Sequence, residues 1–222
     1  MALVAKGEGL ASAAIRQGVS AARPLLRSID QLLEWTAATV ADLTGIVVNV
    51  GPGTFTGLRV GLATAQGLAM ASGKPLIGCS AFDALVALVP EWHGAICPVL
   101  EARKGEVYAA LYHQVNRQPH QIMPGMVVSP ERVCTLITER TLFLGSGVKA
   151  YGTLFAAALG ERAVCLHGGT GDSSIVVSMA RVGEARLEQV GSGELLPPVP
   201  LYIRPADARL PRQATTALER AP

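Results

Sequence analysis

The spacing of apolar positions changes period several times along the chain. Leu25, Leu26, Ile29, Leu32 and Leu33 recur at helical spacing after Pro24 and predict an amphipathic helix running to about Thr39. At Ile46 the pattern becomes a short apolar run with β-branched residues, Ile46 to Val50, which reads as a buried strand. A glycine-rich turn, Gly51 to Gly57, leads into a second helix, Leu58 to Ser72, with Gly73 in the C-cap position and Pro75 just beyond. Upstream, Ala2 to Ala14 mixes small apolar and polar positions around Lys6-Gly7-Glu8-Gly9, a short hairpin.

Downstream, strands and helices alternate. Leu76 to Cys79 predicts a strand, Phe82 to Val89 a helix, and Ile96 to Tyr112 two strands joined at Arg103-Lys104-Gly105. Ser129-Pro130-Glu131 carries an N-cap and a proline at the first helical position. Leu142 to Gly145 follows as a strand, Val148 to Leu159 as a helix, Val164 to Leu166 as a strand and Ser173 to Leu187 as a last helix before a proline-rich tail. This alternation predicts an α/β architecture with parallel strands covered by helices. A change in composition near Pro90 to Gly94 suggests two lobes, 1–92 and 93–222.

Composition narrows the function. Half of the 222 residues are hydrophobic, enough for a proper core, and a net charge of +2 with 16% charged residues announces no nucleic-acid or membrane surface. No window approaches the roughly 18 apolar residues of a membrane span, and the first residues lack the apolar core of a signal peptide, so a cytoplasmic location is expected. Cys79, Cys97, Cys134 and Cys165 are scattered without a CxxC pair and read as buried free thiols.

The glycine turn suits an anion, because it exposes backbone N–H groups at the positive end of a helix. It is not a Walker loop: Gly51-Pro52-Gly53-Thr54-Phe55-Thr56-Gly57 lacks the terminal Lys-Ser/Thr pair, and a dinucleotide fingerprint has no match. A tight turn with Thr54 or Thr56 as helix cap is the stronger reading from chemistry alone. Gly57, Gly61, Ala65 and Ala69 place small residues on one face of the next helix, with Ala63, Gly67 and Ala71 on an adjacent one. Glycine within a helix costs about 1 kcal/mol relative to alanine, which close approach by another helix, a strand or a partner would offset. His93, His113, His120 and His167 are far apart in sequence, no nucleophile elbow occurs, and Asp83, Glu101, Glu106 and Asp172 are isolated carboxylates. By subtraction, binding is favoured over catalysis.

Four ordered stretches carry a resemblance. "GPGTFTGLRVGLATAQGLA", "KPLIGCSAFDALV", "PVLEARKGEVYAALY" and "PLYIRPADAR" resemble the motifs of the bacterial TsaB (YeaZ) family of tRNA threonylcarbamoyladenosine biosynthesis proteins. The resemblance implies the actin-like ATPase fold of paired ribonuclease-H-like lobes and a part in forming N6-threonylcarbamoyladenosine (t6A37) in tRNA. It implies a non-catalytic scaffold that binds and activates a TsaD-type transferase, with a TsaE-type ATPase as associate and tRNA contacted indirectly. No cofactor would be tightly bound, since ATP belongs to the complex, and no metal or catalytic residue is expected in this chain. A small-molecule kinase or ATPase of the same fold is the alternative, though it needs a catalytic Asp and a phosphate loop in the first strand.

Carried onto this chain, the partner surface is Leu25, Leu26, Ile29, Leu32 and Leu33 on the first helix with Leu58, Gly61, Leu62, Ala65 and Ala69 on the second. The same surface would serve a homodimer or a heterodimer. Gly61→Leu and Ala65→Glu are expected to abolish association and leave the monomer folded. Gly51, Gly53, Thr54, Thr56 and Gly57 become a vestigial phosphate loop. Arg103, Lys104, Arg204 and Arg209 read as solvated charge rather than a tRNA stripe. The family's first strand, resembling "ILAIDTS", has no counterpart, so the fold is expected to lack its central first strand. Either the natural start lies upstream, the favoured reading, or a partner strand or a rearranged sheet closes the gap.

Overall fold

Lys6 and Gly7 both adopt positive φ, 52° and 75°, and so fold Ala2–Ala5 (β1) back onto Glu8–Ser12 (β2) as an antiparallel hairpin. This computed structural model describes residues 1–14, 22–115, 118–190 and 197–204. The first helix, Ala22–Trp35 (α1), stops short of the expected Thr39. Ala37 turns left-handed at φ 50°, and the Ala38 N–H closes the end on the Leu33 carbonyl.

Ile46–Gly51 (β3) pairs in parallel with Leu76–Ser80 (β4), and the intervening helix, Phe55–Ser72 (α2), packs back against β3. The helix begins three residues earlier than Leu58, because Thr54 caps it: its Oγ1 accepts from the Gly57 N–H at 3.2 Å. Gly73 closes the other end at φ 65°, as the sequence predicts. Ala81–Val86 (α3) is capped by Ser80 and is shorter than expected.

Beyond it, Gly94–Glu101 (β5), Val107–Val115 (β6), Gln118–Val128 (β7), Thr141–Leu144 (β8) and Ala163–Cys165 (β9) form one sheet in the order β7-β6-β5-β8-β9. The pairs β5–β6 and β6–β7 are antiparallel, and β5–β8 and β8–β9 are parallel, so the sheet is mixed where sequence alternation predicts parallel strands. Strand β7 escapes sequence reading because Pro119, Pro124 and Gly125 interrupt its pattern; at a sheet edge those residues cost no central ladder bonds.

Side-chain alternation builds a core on each face of this sheet. Cys97, Val99, Val107, Ala109 and Phe143 face Pro130–Leu136 (α4) and Ser146–Leu159 (α5), where Phe143 stacks on Phe155 with ring centroids 4.7 Å apart. Ile96, Ala110, Tyr112 and Leu144 face the other way, against Phe82, Leu85 and Val86 of α3. The last helix, Asp172–Val190 (α6), covers β1, β2, β3 and β4 and packs on α3. A residue distant in sequence therefore closes the core of the first ninety or so: Met179 joins Cys79 and Ala84.

Candidate partner-binding helices and the glycine turn

Two leucines decide which side of α2 faces inward. Leu58, Leu62, Ala65 and Ala69 fall on one stripe and are buried, with Leu62 and Ala65 packed on Val48, Ile46 and Leu76. Four members of the expected partner surface are therefore used inside the chain. The expectation that Ala65→Glu spares the monomer is corrected accordingly: a carboxylate there would be buried in an apolar cluster with no partner. A Cβ on Gly61 would meet nothing within 4 Å.

The outward side of α2 is made of small residues and one long apolar side chain. Ala63, Gly67 and Ala71 are exposed, and Met70 between them is 85% exposed. A Cβ at Gly67 would also meet open space. This second small-residue face is exposed and does not pack against α1. On α1, Leu32 and Leu33 are buried, Leu25 and Ile29 are half-buried, and Leu26 and Trp35 are exposed. Leu25, Ile29, Leu32, Leu33, Gly61 and Ala65 share the lining of a cavity of about 720 Å³ rather than forming one continuous outer surface.

The glycine turn is built by backbone geometry and covered by the tail. Gly51 takes φ 133° and donates its N–H to Asn49 Oδ1 at 2.8 Å. A Cβ at Gly51 would lie 2.6 Å from the Leu201 carbonyl oxygen, so only glycine permits the approach. The Leu201 N–H in turn donates to the Val50 carbonyl at 2.6 Å. Tyr202 lies 5.1 Å from the Phe55 ring, and the Arg59 guanidinium sits 3.8 Å over Phe55 while donating to the Tyr202 hydroxyl at 3.0 Å. Gly53, Thr54, Thr56 and Gly57 remain exposed, but two amides at the start of α2, those of Gly57 and Leu58, already bond to Thr54.

The carboxylates singled out as isolated are partly paired. Asp83 accepts from the Tyr112 hydroxyl and from Arg186, each at 2.8 Å, and Glu106 pairs with Arg204. Burial raises the Tyr112 phenol well above its ordinary value, and the neighbouring Asp83 adds to the shift. Burial likewise pushes the Cys79 thiol up to about 12, against the opposing pull of Arg186. Pairing of β6 with β7 sets His113 opposite His120, a neighbourhood that sequence separation hides, and Glu139 lies 3.9 Å from His113. Among the described residues no cluster of His, Cys, Asp and Glu has the geometry of a metal site. Arg209 lies outside the described residues.

The chain matches the family model described as TsaD: tRNA N6-adenosine threonylcarbamoyltransferase over residues 20–167. It is 32% identical over 124 residues to the tRNA threonylcarbamoyladenosine biosynthesis protein TsaB of Bacillus subtilis, covering 54% of each chain. With the Escherichia coli protein of the same name it shares 33% identity over 92 residues, 40% of each. The chain thus spans about half the length of the curated relatives it matches. Among solved structures, YeaZ from Pseudomonas aeruginosa superposes with a TM-score of 0.69 at 24% identity, covering 90% of this chain and 92% of that one, and so shares its fold. Among the described residues no helix is long and apolar enough to cross a membrane.

Proposed function

The chain belongs to the family defined by the TsaD model, among its TsaB (YeaZ) relatives, and from that premise we propose that it is a non-catalytic scaffold subunit in tRNA threonylcarbamoyladenosine formation. In this role it binds a TsaD-type transferase and supports its activity. The observation that carries the reading is the free face of α2, where Met70 stands 85% exposed among Ala63, Gly67 and Ala71. Small residues let a second helix approach closely, and a flexible thioether fills the uneven space between them. Leu26 and Trp35 on α1 are also exposed apolar side chains.

The chain carries no chemistry of its own in this proposal. The tail that covers Gly51 and the bonds that occupy the Gly57 and Leu58 amides leave the turn a poor phosphate cradle, so ATP is bound elsewhere in the complex, with a TsaE-type ATPase as associate. When free, the chain pairs with a second copy through the same face, and tRNA reaches it through its partner.

Reconstituted threonylcarbamoyl transfer to tRNA by the cognate TsaD-type enzyme, with and without this chain, tests the proposal. Activity that depends on the chain, with co-elution of the two proteins in size-exclusion chromatography, is the expected result. Equal activity without the chain, or separate elution, overturns it.

A further inference from the structure

The four cysteines and five methionines of the chain differ widely in what can reach their sulfur atoms. Cys79 and Cys97 are buried, and Cys134 and Cys165 are half-buried. Burial holds all four thiols above their ordinary range, so each keeps the proton that makes it a slow partner for oxidants. Met179 packs in the core with Cys79 and Ala84, and Met123 and Met126 of β7 lie half-buried against Val133 and Ile137 of the sheet's helical face. Met1 is half-buried too, whereas Met70 on α2 stands 85% exposed.

The helix leaves the Met70 thioether unshielded. Residues three and four positions away are the ones that cover a helical side chain. Three positions away on either side stand Gly67 and Gly73, and a Cβ on either would meet nothing within 4 Å. Four positions on, Lys74 is turned aside, because its Nζ donates to the Ala41 carbonyl at 2.6 Å. Four positions back, Gln66 is itself exposed. A thioether has no proton to lose before it reacts, so access to the sulfur sets its rate.

We propose that Met70 is a reversible oxidation site, at which a hydroperoxide converts the thioether to the sulfoxide and thereby switches off association through the outer face of α2. The switch rests on the scaffold reading above, in which that face receives the TsaD-type partner. In the forward step a sulfur lone pair attacks the terminal oxygen of the hydroperoxide. The S–O bond forms as the O–O bond breaks, and the hydroperoxide's own proton passes to the leaving oxygen, which departs as water or an alcohol. Sulfur loses two electrons and the peroxide gains them. A dithiol reductant returns two electrons and two protons, giving the thioether, a disulfide and water.

Polarity carries the change into binding. Among Ala63, Gly67 and Ala71 a thioether is an apolar filler for an uneven contact, whereas a sulfoxide brings a strong acceptor that a dry interface leaves unpaired. The fold itself is spared, since the Met70 side chain is in water in the free chain.

The test treats the full chain with hydrogen peroxide, removes the oxidant, and locates the added oxygen by mass spectrometry of proteolytic peptides. Met70 is expected to oxidise about tenfold or more faster than Met123, Met126 and Met179. Titrated against the untreated cognate TsaD-type enzyme, the oxidised chain is expected to show a Kd about tenfold or more above that of the untreated chain, with its urea midpoint unchanged. A methionine sulfoxide reductase with dithiothreitol restores the original Kd. In Met70→Leu, peroxide leaves the Kd where it stood before treatment, whatever that value is, which assigns the effect to this sulfur. Oxidation of Met70 no faster than that of the packed methionines, an unchanged Kd for the oxidised chain, or an equal loss in Met70→Leu overturns the proposal. Failure of the untreated chain to bind overturns the scaffold reading and the switch with it, an outcome that the untreated control separates from the others.

Discussion

Arg186 of α6 places its guanidinium 2.8 Å from the Asp83 carboxylate of α3 and donates a second bond, at 2.7 Å, to the Gly78 carbonyl of β4. One side chain thus ties the last helix to the end of the small parallel sheet and to the helix that follows it. Tyr112 completes the arrangement from β6 through its own bond to Asp83, and Gln121 of β7 donates to the Tyr112 hydroxyl at 3.3 Å. The network bridges the β3–β4 pair and the five-stranded sheet, and both halves of the sequence.

Because Asp83 and Arg186 are partly solvated, the pair contributes less than a buried one would. Arg186→Leu also strands the Gly78 carbonyl, and the combined loss is about 1–2 kcal/mol in urea denaturation. Tyr112→Phe removes one bond to a charged group and costs about 1–2 kcal/mol. A double variant costing less than the sum of the two singles would confirm that they act through one carboxylate.

Two glycines on helices respond oppositely to alanine. Gly67 sits in a helix interior with open space where a Cβ would stand, so Gly67→Ala raises stability by about 0.5–1 kcal/mol. Gly183 also sits in a helix, but a Cβ there collides with the Val47 side chain. Gly183→Ala therefore lowers the melting temperature, at a cost of about 1–3 kcal/mol. Thermal unfolding of the two variants beside the parent reads both signs.

Buried thiols make the chain sensitive to alkali. Burial raises the Cys79 thiol from 9.0 to about 12, and Cys97, Cys134 and Cys165 shift in the same direction for the same cause. The folded state binds these protons more tightly than the unfolded one, so their contribution is fully present below pH 9 and is lost as the pH climbs toward 12. Urea midpoints should fall steadily above pH 9, and less steeply in Cys79→Ala. At pH 8 an Ellman titration of the native chain should leave Cys79 and Cys97 unmodified until denaturant is added.

Legibility in the sequence followed the range of the signal. The Leu25 to Leu33 helix, the β3 run and the Gly73 cap are local patterns, and each appears where the spacing predicts it. The bonds from Tyr112 and Arg186 to Asp83 span 29 and 103 residues, and nothing near any of the three announces the others. On α2 the small residues drew attention to the Gly61–Ala65–Ala69 face, whereas burial was decided by Leu58 and Leu62 on the overlapping stripe. The free face, Ala63, Gly67 and Ala71, carries no hydrophobic signal except Met70. The tail reads as proline-rich and as the last of the four resembling stretches, but nothing in it announces that Leu201 and Tyr202 cover the glycine turn.

Substitutions on the two faces of α2 separate folding from association. Met70 and Ala63 are exposed, so Met70→Glu and Ala63→Arg should leave the urea midpoint within about 0.5 kcal/mol of the parent. If this face receives the TsaD-type partner, either change buries an unpaired charge at the centre of the contact and costs 2 kcal/mol or more, about thirtyfold in Kd. Ala65→Glu supplies the contrast, because its carboxylate falls among Val48, Leu62 and Ile46 and the chain itself should unfold in lower urea. Titration calorimetry of each folded variant against the partner decides the matter. Unchanged Kd in both Met70→Glu and Ala63→Arg would remove α2 from the interface and leave α1, with Leu26 and Trp35, as the surface to examine next.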